Sequence, residues 1–217
     1  MKRPSKASVT KQRDVAVSTR ATAQRDFARG RHRVRIIGGV WKRTALPVAE
    51  AAGLRPTPDR VRETLFNWIE HLVPGLNAVR AVDLFAGTGA LGFELASRGA
   101  QRVTLVESNR QAIELLMQTK RKLAADRVDV VSGDALTIAA RWPDASFDII
   151  FIDPPFDSAL LAPAIAAATR LITAEGLIYV ESGATLDELT LGNRGLQVVR
   201  QARAASVHFH LLSAQSA

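Results

Sequence analysis

The sequence predicts an α/β fold: a mainly parallel sheet with helices on both faces, preceded by a small β-hairpin and a helix. Three observations predict it. From residue 79 onward, short apolar strands alternate with helical segments. Those strands are near-continuous apolar runs, the pattern of strands covered on both faces. A glycine-rich loop, Gly87–Gly92, joins the first of them to a helix.

The elements follow in order. Val34–Ile37 and Val40-Trp41 flank Gly38-Gly39 and predict a hairpin. Thr57-Pro58-Asp59 opens a helix. Thr57 suits the cap, Pro58 the first helical position, and Asp59 the positive end of the dipole. Val61, Leu65, Trp68, Ile69 and Leu72 recur at helical spacing to about His71, where Pro74-Gly75 stops the run. Strands are then expected at Val79–Phe85, Val103–Glu107, Val128–Val131, Phe147–Ile152 and Gly176–Val180. Helices are expected at Ala90–Arg98, Arg110–Ala124, Ala135–Arg141 and Ser158–Leu171. Leu196–Arg203 and Ser206–Leu212 form a closing hairpin.

Composition narrows the chemistry. The 217 residues suit one domain with a tail. There is no cysteine, which excludes disulfides, thiolate-bound zinc and a cysteine nucleophile, and fits a reducing, cytoplasmic setting. No metal site is expected: His208 and His210 share one strand face but lack further ligands. The longest apolar stretch, Ala159–Ala168, is broken by Pro163 and falls short of the ~20 residues a membrane span needs.

Positive charge is concentrated at one end. Residues 1–43 hold 13 of the 29 Lys+Arg against two acids, Asp14 and Asp26, and so carry +11; the remainder carries −3. Residues 1–32 have few large apolar side chains and read as a disordered basic tail. A basic arm on a near-neutral body suits nucleic acid, because each bound phosphate releases counterions. An idle solvated tail and an organelle transit peptide are the competing readings. Arg33, Arg35, Lys42 and Arg43 around the hairpin, with Arg55 and Arg60 beside the first helix, are the expected RNA contacts. Residues 33–72 form an RNA-contacting extension and residues 73–217 the catalytic domain.

Two motifs carry chemistry. Asp83-Leu-Phe85-Ala-Gly87-Thr-Gly89-Ala-Leu-Gly92 follows a strand and opens a helix. Such a loop lets backbone approach a ligand, and the helix N-terminus favours electron-rich groups. Glu107 ends the next strand, placed to accept from both ribose hydroxyls of an adenosine cofactor. A dinucleotide is disfavoured, because Asp83 would approach its pyrophosphate. A carboxylate there suits a cation, such as the amino group and sulfonium of S-adenosylmethionine. Asp134 ends the third strand, where it can accept from an adenine amine. Phe85 and Ala135, beside Asp83 and Asp134, complete the expected cofactor-binding set.

The second motif, Asp153-Pro154-Pro155-Phe156, ends the fourth strand. Two prolines cannot continue a central strand, so they make a rigid corner. A nucleobase amine is a poor nucleophile, because its lone pair is delocalised into the ring. The Asp153 carboxylate and the Pro154 carbonyl could hold its two N–H groups and aim that lone pair at a methyl donor. Phe156 could stack on an extruded base. A tight turn with a core Phe is the plainer alternative.

Together these motifs resemble the class I S-adenosylmethionine-dependent amino-methyltransferases, with their Rossmann-like fold. Arg35-Ile-Ile-Gly-Gly39, Leu54–Asn67 and Tyr179-Val-Glu181 resemble the RsmD-type family of bacterial rRNA methyltransferases. The resemblance implies a seven-stranded sheet with a reversed terminal hairpin. It also implies methyl transfer to the N2 of a guanine in small-subunit 16S rRNA, on assembled or assembling 30S particles. A monomer is expected. A DNA or RNA methyltransferase acting on adenine N6 or cytosine N4 is the alternative, since those amines present the same two N–H groups.

Overall fold

A computed structural model describes residues 34–49, 57–155 and 158–215. The expected tail, residues 1–32, lies outside the described residues. Residues 34–217 form one compact unit.

Strands β1 (Val34–Arg35) and β2 (Ala45–Leu46) pair antiparallel. The expected hairpin is present, but its second strand is not Val40-Trp41. The amides of those two residues donate instead to Ser97, Val40 to its carbonyl at 2.9 Å and Trp41 to its Oγ at 2.9 Å. Residues 38–43 are therefore a turn held against a neighbouring helix. Gly39 is required there. Its φ is +72°, and a Cβ would lie 1.9 Å from the Ser97 carbonyl oxygen.

Helix α1 (Asp59–Leu72) buries Val61, Arg62, Leu65, Phe66 and Ile69. Thr57 does not cap it, contrary to expectation. Pro58 occupies the cap position, and the Thr57 hydroxyl donates to Glu181 at 2.8 Å.

Then follow β3 (Arg80–Asp83), α2 (Ala90–Ser97), β4 (Arg102–Glu107), α3 (Arg110–Leu123), β5 (Val128–Ser132), α4 (Ala135–Ala139), β6 (Phe147–Ile152), α5 (Leu161–Leu171), β7 (Ile172–Ser182), α6 (Glu188–Gly192), β8 (Leu196–Ala204) and β9 (Val207–Ala214). The sheet order is β5-β4-β3-β6-β7-β9-β8. The first five strands are parallel; β9 runs antiparallel to both β7 and β8. This is the seven-stranded sheet with a reversed terminal hairpin.

Successive side chains alternate between two apolar layers. Ile149 and Phe151 enter one layer with α1, α2 and Leu116 of α3; Ile150 and Ile152 enter the other with α4 and α5. Gly92 lets α2 sit directly on β4, since a Cβ there would lie 2.2 Å from a Leu105 methyl. The chain leaves β3 outward to β4 and β5, then crosses back to β6 on the other side. The C-terminal ends of β3 and β6 thus border the topological switch point, where open α/β sheets bind ligands.

Candidate active site

The glycine loop is pinned to both strands that flank β3. Leu84 N–H donates to the Phe151 carbonyl of β6 at 3.1 Å, and Ala86 N–H to the Val106 carbonyl of β4 at 3.0 Å. Gly87 and Gly89 have φ of +51° and +75°, which glycine adopts without strain. Gly89 directly precedes α2, so bare backbone meets the helix N-terminus. Phe85 is half-buried and packs on the second apolar layer.

Asp83 is buried below this loop. Burial pushes its carboxyl up to about 7; the Phe85 amide opposes the rise, and the Glu107 and Glu181 charges add to it. Among the described residues it has no cationic partner.

Glu107 is shaped by the loop as well as aimed at it. Its Oε2 accepts from Gly87 N–H at 2.8 Å, and its Oε1 accepts from Ser108 and Asn109 N–H at 2.8 and 2.7 Å. A carboxylate has roughly four acceptor positions, so these bonds leave room for about one more. These bonds fix the carboxylate beside the loop, where a ribose hydroxyl could reach it. Asp134 caps α4 by accepting from Thr137 N–H at 2.8 Å, the bond that chiefly holds its carboxyl below the usual range. Its second oxygen stays available on the surface beside buried Ala135.

Asp153 leaves the end of β6 next to the loop, because Asp83 pairs with Phe151 in the β3–β6 ladder. Pro154 is buried and Pro155 exposed. Phe156 lies outside the described residues. The Asp153 carboxyl is pushed well up, first by burial, then by the Glu181 and Asp83 charges, with Thr57 opposing. Glu181 of β7 was missing from the expected site. It is buried and accepts from Thr57 Oγ1 at 2.8 Å and from the Tyr179 hydroxyl at 2.9 Å. Its sequence signal was the Tyr179-Val-Glu181 stretch, which entered the family resemblance without a role for the acid.

Among the expected RNA contacts, Lys42, Arg43 and Arg60 are exposed. Arg35 is exposed but bonded to Asp59 at 3.0 Å. Arg33 and Arg55 lie outside the described residues. His208 and His210 stack with ring centroids 6.5 Å apart. They tether the loop after β7, through the Thr185 hydroxyl and the Leu186 amide. No cluster suited to a metal ion occurs among the described residues.

Residues 34–213 match the family described as Conserved hypothetical protein 95. The chain is also 43% identical over 155 residues to the ribosomal RNA small subunit methyltransferase D of Escherichia coli (strain K12), covering 70% of this chain and 76% of that protein. This chain belongs to the ribosomal RNA small subunit methyltransferase D family. The family member of Buchnera aphidicola subsp. Baizongia pistaciae is 33% identical over 180 residues, covering 82% of this chain and 90% of that protein. A solved structure, the putative methyltransferase yhhF from Escherichia coli, superposes with a TM-score of 0.72 at 36% identity, covering 86% of this chain and all of that one.

Membership makes the protein a methyltransferase with S-adenosylmethionine as its methyl donor. The residues present fit that group. A buried, unpaired Asp83 calls for a cation, the Gly87–Gly89 backbone admits close approach, and Glu107 and Asp134 offer acceptors on either side. S-adenosylmethionine or its demethylated product should raise the melting temperature, and NAD should not. Glu107→Ala should weaken cofactor binding by about 1–3 kcal/mol. Part of that loss arises because Gly87 N–H is then left without its acceptor. Affinity should rise as pH passes upward through about 7, because a cation favours ionised Asp83. Calorimetric titration at several pH values checks both; unchanged affinity in Glu107→Ala would remove that residue from the cofactor.

Proposed function

We propose that the protein methylates the N2 amine of one guanine in small-subunit rRNA, as a cytoplasmic monomer acting on assembled or assembling subunits. One observation carries the reading: strand pairing brings the Asp153-Pro154 corner beside the Asp83–Gly89 loop. A cofactor loop and a pair of acceptors for an amine then lie side by side at the strand ends. The relatives' activity on small-subunit rRNA supports the choice of substrate.

The bound donor supplies an electrophilic methyl group on a sulfonium. The rest is done by the chain. Asp153 and the Pro154 carbonyl accept the two amine N–H groups, which turns the nitrogen lone pair toward the methyl. Rigid Pro154 and Pro155 fix that direction. Phe156 stacks on the extruded base. The chain has no cysteine, so transfer proceeds in one displacement with no thiolate adduct.

Lys42 and Arg43 on the turn, Arg35 on β1 and Arg60 on α1 serve as RNA contacts, as do Arg33 and Arg55, which lie outside the described residues; all fall within residues 33–72. Residues 1–43 carry +11, which suits the same polyanionic partner. Deleting residues 1–32 should leave cofactor affinity intact while weakening RNA binding with a shallower salt dependence. Equal affinity and salt slope would make the arm an idle tail or an address.

Nucleoside mass spectrometry after incubation with small subunits, naked rRNA and DNA tests the function itself. N2-methylguanine from subunits supports the reading. N6-methyladenine or N4-methylcytosine would replace it with the alternative.

A further inference from the structure

Glu181 is a buried carboxylate whose only hydrogen-bond donors among the described residues are two hydroxyls, Thr57 and Tyr179. It is 3% exposed, near the end of β7, in line with the aromatic cluster of Phe151, Tyr179 and Phe209. A carboxylate taken out of water there is costly unless its charge is used. Both groups that hold it are neutral hydroxyls, Thr57 and Tyr179, and both bond Oε1. Oε2 has no hydrogen-bond partner among the described residues, so one oxygen stays uncommitted. The β6–β7 ladder pairs Phe151 with Tyr179 and Ile152 with Val180. That register sets Asp153 beside Glu181.

We propose that Glu181 is a positioning residue for methyl transfer: fixed by Thr57 and Tyr179, it acts through Asp153 to govern the proton that the target amine gives up. The inference rests on the reading of Asp153 as the amine's acceptor. In the step, the N–C bond forms and the S–C bond breaks, its electron pair returning to sulfur. The nitrogen then carries one proton too many, and Asp153 takes it. An isolated aspartate is a weak acceptor for that proton. A second carboxylate alongside raises its proton affinity, because the pair resists carrying two charges. Other ionisable groups around the pair are Asp83 on β3, with Glu107 behind it on β4, and Tyr179 on β7. From α1, Arg62 reaches the Thr57 carbonyl at 3.3 Å but is paired with Asp59 and Glu94. Strand β9 places Phe209 opposite Glu181.

The experiment is single-turnover methyl transfer to small subunits, at saturating cofactor, across pH. Glu181→Gln keeps an oxygen for Thr57 and Tyr179, removes the charge and turns the uncommitted oxygen into an NH2 donor, both of which favour an ionised Asp153. The acid limb of the profile should move down by about one unit, and the plateau rate should fall about tenfold. Glu181→Asp should return the limb toward wild type. Tyr179→Phe, which keeps the ring packing, gives a second reading if the Gln variant does not fold. Losing one donor leaves Glu181 more readily protonated, so the limb should again move down, by less. An unmoved limb in Glu181→Gln and Tyr179→Phe overturns the proposal, whether or not the rate falls. If Asp153→Ala itself transfers methyl at the wild-type rate, the reading of Asp153 fails instead.

Discussion

Asp153→Ala should slow single-turnover methyl transfer by about 100- to 10,000-fold, with cofactor affinity little changed, whereas Asp153→Asn should retain much more activity. The lower part of the range is that of removing one preorganised hydrogen-bond partner from a transition state, and the upper part adds misplacement of the amine. Alanine leaves one N–H of the target amine without its acceptor. Asparagine restores an oxygen that accepts the bond, at the cost of a charge-assisted interaction, about tenfold in rate. If Asp153 had to remove the proton during transfer, Asn would be nearly as inactive as Ala, because an amide is no useful base. The amine becomes strongly acidic only after it gains the methyl, so late proton loss, with substantial Asn activity, is the expected pattern. Wild-type rates in Asp153→Ala, with N2-methylguanine still formed, would exclude the corner from the site.

The sheet was legible because its signals are local. Near-continuous apolar runs mark strands covered on both faces, and a glycine loop between a strand and a helix marks where backbone must stay bare. Asp83, Gly87, Gly89, Glu107 and Asp153 therefore fall where their spacing indicated, at the C-terminal ends of β3, β4 and β6. Long-range contacts were not legible. Thr57 reads as a helix cap from its neighbours, yet its hydroxyl bonds a residue 124 positions away. Val40-Trp41 read as a strand, but Ser97 captures both amides. Glu181 entered only through the Tyr179-Val-Glu181 resemblance, with no role, and the register of β6 against β7 reveals its neighbour. The helical propensity and apolar period of α2 also conceal Glu94, whose partners are 56 and 57 residues away.

Glu94→Ala should be the most destabilising of the single substitutions considered, by roughly 3–5 kcal/mol, the cost of breaking a buried ion pair. Glu94 and Arg62 are fully buried, their side chains 3.8 Å apart. The Glu94 carboxylate also accepts from Ile37 N–H at 2.6 Å, Gly38 N–H at 2.7 Å and Arg98 Nε at 2.8 Å. Without it, two backbone amides lose their acceptor. Arg62 keeps only Asp59 and the Thr57 and Arg35 carbonyls. For a chain of this size the melting temperature should drop by roughly 6–20 °C. Glu114→Ala is the control: its pair with Arg110 lies on the surface, and its melting temperature should match wild type. The position of Glu94 gives the loss a direction. Helix α2 begins at the cofactor loop, and toward its other end Glu94 and Ser97 grip the turn that carries Lys42 and Arg43. Below its melting point, Glu94→Ala should thus bind RNA more weakly while binding S-adenosylmethionine nearly as well as wild type. A variant that melts within 2 °C of wild type, or that loses both ligands equally, would show that the turn does not depend on this clamp.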